Sequence, residues 1–511
     1  MIRLLILLCC VVPLIVTGSV THVNAARANP SAEALAAIKA VVEDAKKTRE
    51  EKIKAVNDVA SVDAEIARGL VQMYLTLKTR DGEGRVAFAV LHAIARVTDV
   101  KERKALREDL VADAVDIMVR KALFQAVANG DDEDTVKYVL KTLDEDRATM
   151  RLLAANWCGR KTLAPAFDKM IALLQDGSWR VRSSAIEALA KYATSDAPAY
   201  RERVVNALIQ LMQEETGRLV EDCARALRTI SGEDYGNDPF AWESWRRRSQ
   251  GKEPGGAGSG RGRTSAGTYD IESCTHQMIF VIDTSISMNE EIDPELRKEA
   301  ESVTGRRKQD DKRKDIDWSK IKTKLDLARA ELTRTIEALP ADMWFTIISY
   351  STDVHPWKEE IVPADAKNKG LAVRFLEELS CDKLTNIFGA FDAAIVLSEK
   401  AFDDASGKRH KKDKTAATEQ RVADTIYFLT DGYATTGKYR GPDNIVGKAT
   451  PEQAKQYTDE MNGMCDEIID RNEVARMTIH TIGIGQHDQK TLKKLAALCN
   501  GSYVSIGAKK K

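Results

Sequence analysis

The sequence predicts a multidomain chain in which an N-terminal all-α solenoid precedes a C-terminal doubly wound α/β domain of Rossmann-like type. Three observations predict it. From about Ser31 to Gln250, apolar residues recur at three- and four-residue spacing with no strand pattern. Gly251 to Thr268 is then dense in glycine, serine and threonine, a composition that packs no core and behaves as a flexible tether. Beyond it, short apolar strands alternate with amphipathic helices, the pattern of a sheet covered on both faces. At 511 residues the chain is also too long for one ordinary core. These readings set the boundaries at 31–250 for the solenoid, 251–270 for the linker and 271–508 for the α/β domain.

Ahead of the solenoid, Arg3 precedes the apolar run Leu4 to Val16, and small residues follow at Val23-Asn24-Ala25-Ala26. A charged start, an apolar stretch and a small-residue cut site describe a signal peptide over residues 1–25, cleaved after Ala25. The run is well short of the roughly 20 residues that a membrane span needs. Leu8 before Cys9 stands where a lipoprotein site wants a small residue. The mature chain is therefore expected to be exported, periplasmic or extracellular, and to lack a transmembrane segment. Cys158 and Cys223 occupy apolar helical positions and read as buried thiols, whereas Cys274 and Cys499 are placed where they could staple the second domain's ends. No Cys/His spacing fits a zinc site. Lysine plus arginine (77) nearly balances aspartate plus glutamate (78), a net charge of −1 that lacks the basic bias of a nucleic-acid binder.

Within the solenoid one segment repeats. Asp81-Gly82-Glu83-Gly84-Arg85-Val86 and the helix after it parallel Asp176-Gly177-Ser178-Trp179-Arg180-Val181, and a third copy runs through Gly217-Arg218-Leu219 to Leu227. A degenerate copy lies near Asp146 to Trp157, and neighbouring copies are spaced in the thirties. The period, the turn and the small-residue helix resemble HEAT repeats, whose helix pairs stack because none buries its face alone. His92 falls on a helical face there and reads as structural. Asn237 or Asp238 can cap a closing helix with Pro239 in its first turn, and Trp242 and Trp245 are placed to cover the last repeat.

In the second half, strands are predicted at Met278–Asp283, Trp344–Tyr350, Thr425–Thr430, Met477–Gly483 and Ser502–Ile506. Helices are predicted at Asp317–Leu339, Asp365–Leu379, Ile387–Ala401, Pro451–Arg476 and Gln489–Leu498, with an antiparallel edge strand near Val354–Trp357. Asn289 to Ile316 and Asp403 to Arg421 are charged and poor in large apolar residues, so both read as surface insertions, the first as a disordered excursion.

The most specific pattern is Asp283-Thr284-Ser285-Ile286-Ser287 at the end of the first strand, matched by Thr430-Asp431-Gly432 at the end of another. Strand ends in open α/β sheets are where ligands collect. Two hydroxyls at alternate positions after an aspartate suit a hard divalent cation, Mg²⁺ or alternatively Mn²⁺ or Ca²⁺. With Thr385-Asn386 opening a helix, Trp357, the helix Ala366–Leu379 and Thr435-Thr436-Gly437, the chain from Gln277 to Ile506 resembles the von Willebrand factor A domain.

That resemblance implies a metal-ion-dependent adhesion site (MIDAS). Ser285 and Ser287 would coordinate the ion directly, Thr385 directly or through water, and Asp283 and Asp431 largely through water. An acidic side chain of a protein partner would fill the open position. Ile286 and Leu384 stand where glycines are commoner. The implied function is an exported, metal-dependent protein-binding module, with a second protein free to use the helical repeats; the combination looks like exported bacterial proteins. An architectural envelope scaffold with a structural metal is the alternative, and a metal-assisted hydrolase a further one. Catalysis is not expected: no Ser-His-Asp order, Gly-x-Ser-x-Gly elbow or phosphate-binding glycine loop is present.

Overall fold

The computed structural model describes residues 29–110, 116–195, 198–252, 266–268, 271–273, 275–305, 314–399, 422–442 and 449–507. The signal segment, the stretch Asp403 to Arg421 and Cys274 lie outside the described residues. Among those described, Cys158, Cys223 and Cys499 are buried free thiols.

The first half is helical: α1 (Pro30–Glu43), α2 (Arg49–Asn57), α3 (Ala64–Leu77), α4 (Gly84–Ile94), α5 (Val100–Ala105), α6 (Arg107–Leu110), α7 (Ile117–Val127), α8 (Glu133–Thr142), α9 (Ala148–Lys161), α10 (Phe167–Ala172), α11 (Trp179–Ala193), α12 (Pro198–Glu214), α13 (Arg218–Ser231) and α14 (Pro239–Ser249). Small residues let neighbouring helices approach: a Cβ on Gly159 would stand 2.5 Å from the Ala188 Cβ across the α9–α11 contact. Asp238 caps α14, accepting from the Phe240 and Ala241 N–H groups, and Pro239 follows at its first position. Trp242 is fully buried and stacks edge-on against Tyr235 and Trp245, closing the stack.

The second half contains a hairpin of β1 (Ala266–Thr268) and β2 (Ile271–Ser273), then β3 (Gln277–Asp283), α15 (Pro294–Thr304), α16 (Lys324–Ala338), β4 (Trp344–Tyr350), β5 (Val354–Pro356), β6 (Val362–Pro363), α17 (Ala366–Glu378), α18 (Ile387–Glu399), β7 (Thr425–Thr430), α19 (Pro451–Ala475), β8 (Thr478–Ile484), α20 (Gln489–Leu498) and β9 (Tyr503–Ile506). The sheet order is β5-β4-β3-β7-β8-β9, with β6 also on β4; β5 and β6 are antiparallel and the rest parallel. Alternate strand residues face opposite layers. Ile279, Val281, Ile348 and Phe428 pack with α18, α19 and α20, while Met278, Phe280, Ile347 and Tyr427 pack with α15, α16 and α17. The chain leaves β3 for β4 on one side and later returns to β7 on the other, which opens a crevice at the carboxyl ends of β3 and β7.

Three expectations need correction. Asn289 to Ile316 is not a disordered excursion over its described part, because α15 buries Leu296 and Ala300 against the sheet layer. Their spacing, with Asp293 capping the Leu296 N–H (2.7 Å) and Pro294 opening the helix, supplies an ordinary helix start. The segment read as tether is partly ordered, since β1 lies inside it. Most consequential, the two halves do not stand apart.

The solenoid packs on α19, whose residues are buried around much of its circumference. One face, including Met461, Met464 and Ile468, joins the sheet layer, and Val474 joins the solenoid core. The solenoid-facing side carries acids that meet solenoid bases. Glu460 pairs with Arg49 (3.1 Å), and Lys121 with Asp470 (2.6 Å) and Glu473 (2.8 Å). Arg180, a repeat-position arginine, reaches across to donate to the carbonyls of Ala475 (2.9 Å) and Ser398 (2.7 Å). Those carbonyls lie in the last turns of α19 and α18, where helices leave acceptors unsatisfied and favour positive charge. Arg218 likewise donates to Thr478 Oγ1 (2.6 Å). The face bearing the repeat arginines is thus covered by the second domain and is not open to a separate protein in this arrangement.

Candidate metal centre

Parallel register sets β3 beside β7, pairing Ile282 with Leu429, so that Asp283 and Thr430 emerge together. Asp283 is fully buried. Its Oδ2 accepts from Thr430 Oγ1 (2.6 Å) and Tyr350 OH (3.3 Å), and its Oδ1 accepts the Ser285 N–H (2.7 Å). That last bond turns the chain into a short 3₁₀ turn over Ile286–Asn289 and brings Ser285 Oγ to 3.1 Å from Ser287 Oγ. Ser287 Oγ in turn donates to Asp431 Oδ1 at 2.7 Å. Four of the five predicted residues therefore form one continuous chain of polar contacts.

Thr385 arrives from a third loop. Its N–H donates to Thr435 Oγ1 (2.9 Å), and its carbonyl accepts the Thr435 N–H (3.0 Å). A Cβ placed on Gly432 would stand 3.5 Å from Thr385 Oγ1 and 3.8 Å from Ser287 Oγ, which locates the threonine hydroxyl against the same cluster. Asn386 accepts the Gly389 N–H (2.9 Å) in the first turn of α18 and so orients this loop. Gly437, at φ 90°, lies against Asn386 where a side chain would clash. Its carbonyl then accepts the Gly82 N–H of the solenoid (3.3 Å), and the Lys438 carbonyl accepts that of Gly84 (3.2 Å). The loop that carries Asp431 thus ends on the turn of the first repeat.

Two residues in the site were not anticipated. Lys324 Nζ lies 2.8 Å from Asp431 Oδ2 and 2.5 Å from Glu290 Oε2. Lysine in a helix start carries no local signal of a partner more than a hundred residues away, so sequence periodicity places it on α16 and says no more. Burial pushes the Asp283 carboxyl up, and the Asp431 carboxylate pushes it further, to about 7. Burial also raises Asp431, while Lys324 pulls it back. Two buried carboxylates, with one ammonium on the far side of Asp431, are short of positive charge, and adjacent hydroxyl oxygens complete a donor set that fits a hard divalent cation. Among the described residues no group of three or more His, Cys, Asp or Glu side chains is arranged to hold a metal, so ion binding here depends on the hydroxyls. Of the histidines, His480 is buried in β8, accepts the Ser502 N–H and stacks on Tyr427, as a core residue does.

The fold and its switch-point cluster define the class. Residues 316–505 match the von Willebrand factor type A domain family, and residues 136–228 match HEAT repeats. The chain carries both. The first match begins after β3, so Thr385 and Asp431 fall within it and Asp283, Ser285 and Ser287 lie ahead of it. Curated relatives include inter-alpha-trypsin inhibitor heavy chain H3 of Mus musculus and of Bos taurus, each 28% identical over 131 residues, 26% of this chain. The matched stretch spans 13% of each relative's length. Among solved structures, a von Willebrand factor type A protein from Catenulispora acidiphila aligns at 15% identity with a TM-score of 0.27, covering 46% of this chain and 40% of that one. The PilB minor pilin from Streptococcus sanguinis aligns at 11% identity and a TM-score of 0.29, covering 50% and 60%.

Proposed function

We propose that this chain is an exported, non-catalytic protein-binding module whose α/β domain grips an acidic group of a protein partner through Mg²⁺. The ion is held by Ser285, Ser287 and Thr385, with Asp283 and Asp431 behind them. The observation that carries the reading is the unbroken contact chain Asp283–Ser285–Ser287–Asp431 at the β3/β7 crevice, with Thr385 beside it on a third loop. Bound there, the ion supplies a Lewis-acidic position for a carboxylate. Hydroxyl donors leave it more positive charge than direct carboxylates would. Export rests on the N-terminal segment, where Arg3 precedes the apolar run Leu4 to Val16 and small residues follow; no described helix is long and apolar enough to cross a membrane. Capture from an extracytoplasmic extract on the immobilised chain, with Mg²⁺ and then with chelator, tests the reading; a partner retained equally in both contradicts it. The scaffold alternative draws support from the docked solenoid, and gains if Mg²⁺ binds but nothing is captured.

The rim defines what the partner meets first. Ile286 is 58% and Leu384 41% exposed, and the bridge Ser285–Asp382 runs the two loops that carry them side by side next to the buried oxygens. A carboxylate flanked by an apolar side chain suits such a rim. Ile286→Asp is expected to weaken capture at least about tenfold, through an unfavourable charge and lost apolar contact, while Mg²⁺ affinity is not reduced. Surface plasmon resonance with the captured partner and calorimetry with Mg²⁺ separate the two effects.

Acidity acts in opposite directions on the two states. Unfolded, Asp283 ionises near the ordinary carboxylate value of about 4; folded and metal-free, it ionises near 7. Between these values the unfolded chain gives up a proton that the folded one keeps, so metal-free stability falls as pH rises through the window. Mg²⁺ needs the ionised carboxylate, so its affinity rises through the same window. The increase in melting temperature on adding Mg²⁺ should therefore grow from about pH 5 to about pH 8. Scanning calorimetry against chelator measures it, and an increment that shrinks with pH contradicts the assignment.

A further inference from the structure

Lys324 stands at the first position of α16, where its N–H donates to the Glu290 carbonyl (3.1 Å) and Thr323 caps the same turn. Its ammonium is 2.8 Å from Asp431 Oδ2, and its side chain is 9% exposed. The chain at Gly485 closes over it, since a Cβ there would stand 3.1 Å from Lys324 Cε and 3.4 Å from Nζ. Asp431 is thereby held from two sides. Oδ2 takes the ammonium, whereas Oδ1 faces the Ser287 hydroxyl.

We propose that Lys324 is a positioning residue that sets the charge of the cation site. It neutralises Asp431 from behind, lowering affinity for the divalent ion and leaving the bound ion with positive charge to spare for an external carboxylate. The proposal rests on the Mg²⁺ reading given above. The charge balance shows why it matters. Asp283 and Asp431, both ionised, would cancel a divalent ion, and a neutral site offers an anion little. The fixed ammonium restores one net positive charge in a region where charge interactions are weakly screened. Glu290, the other partner, is 65% exposed on its side chain, so water screens most of its opposing effect. An ammonium that only ties α16 to the sheet would have no such consequence for metal or anion.

The full chain carrying Lys324→Met, which keeps the aliphatic stem and loses the charge, decides between these roles. Calorimetric titration with Mg²⁺ alone is expected to show binding at least about tenfold tighter than wild type. Retention of polyglutamate by the Mg²⁺-loaded variant should nevertheless be weaker than by wild type. The melting temperature should fall in chelator and recover largely in Mg²⁺, and Lys324→Arg should restore affinity to within about threefold of wild type. Should Lys324→Met not fold, Lys324→Gln carries the same comparison. Unchanged or weaker Mg²⁺ binding, or an equal loss of melting temperature in chelator and in Mg²⁺, assigns Lys324 a structural role and overturns the proposal. Wild-type protein that binds no Mg²⁺ overturns the underlying reading as well, and so separates the two failures.

Discussion

Ser285→Ala combined with Ser287→Ala is expected to raise the Mg²⁺ dissociation constant at least about a hundredfold while the fold survives. The two hydroxyls face each other at 3.1 Å, and no described backbone element depends on them: the turn is held by the Ser285 N–H on Asp283 and by the Met288 N–H on the Ser285 carbonyl. Removing both hydroxyls leaves the carboxylates and the Thr385 hydroxyl in place but takes away the two serine oxygens proposed to meet the ion directly. Circular dichroism should be unchanged. Asp431 Oδ1 loses its hydroxyl donor, so a modest fall in melting temperature is expected as well. Isothermal calorimetry reads the affinity, and wild-type affinity in the double variant contradicts the ligand assignment.

Arg180→Ala is expected to have the largest effect on stability. Arg180 is 2% exposed, and its guanidinium donates to carbonyls at the last turns of two helices of the other domain. Truncation leaves both acceptors buried without that donor and opens a void, at a cost of roughly 3 kcal/mol or more. Because the cost falls on the contact between domains, the transition should split, with the solenoid and the α/β domain melting separately. The radius of gyration in solution scattering should rise as the halves part. A loss under about 1 kcal/mol, with one cooperative transition, would show that docking does not rely on this residue.

The strands were the most legible part of the chain. Met278–Asp283, Trp344–Tyr350 and Thr425–Thr430 are short apolar runs bounded by polar residues, and each appears within a residue of its expected position because burial on both faces leaves no room for polar alternation. The antiparallel edge at Val354–Pro356 was equally readable from the tight turn after Tyr350. Helix α15 was missed because its few apolar side chains are embedded among charges, although Leu296, Ala300 and Val303 keep a helical spacing and the first two are buried. The docking of the two halves was not legible at all. Arg180 and Arg218 look like solvated repeat charges until the carbonyls and hydroxyl that they meet, more than two hundred residues away, are placed beside them. A local pattern carries no record of such pairing. For the same reason Asp283, Ser285, Ser287 and Asp431 could be grouped by their strand-end positions and Thr385 by the resemblance, whereas Lys324 could not.

A crystal grown with Mn²⁺ and measured at its absorption edge tests the central claim most directly. The account predicts one anomalous peak at the β3/β7 crevice, within coordination distance of both Ser285 Oγ and Ser287 Oγ, with Thr385 and the two aspartates around it. A crevice without a peak, or a peak held elsewhere on the chain, would contradict it.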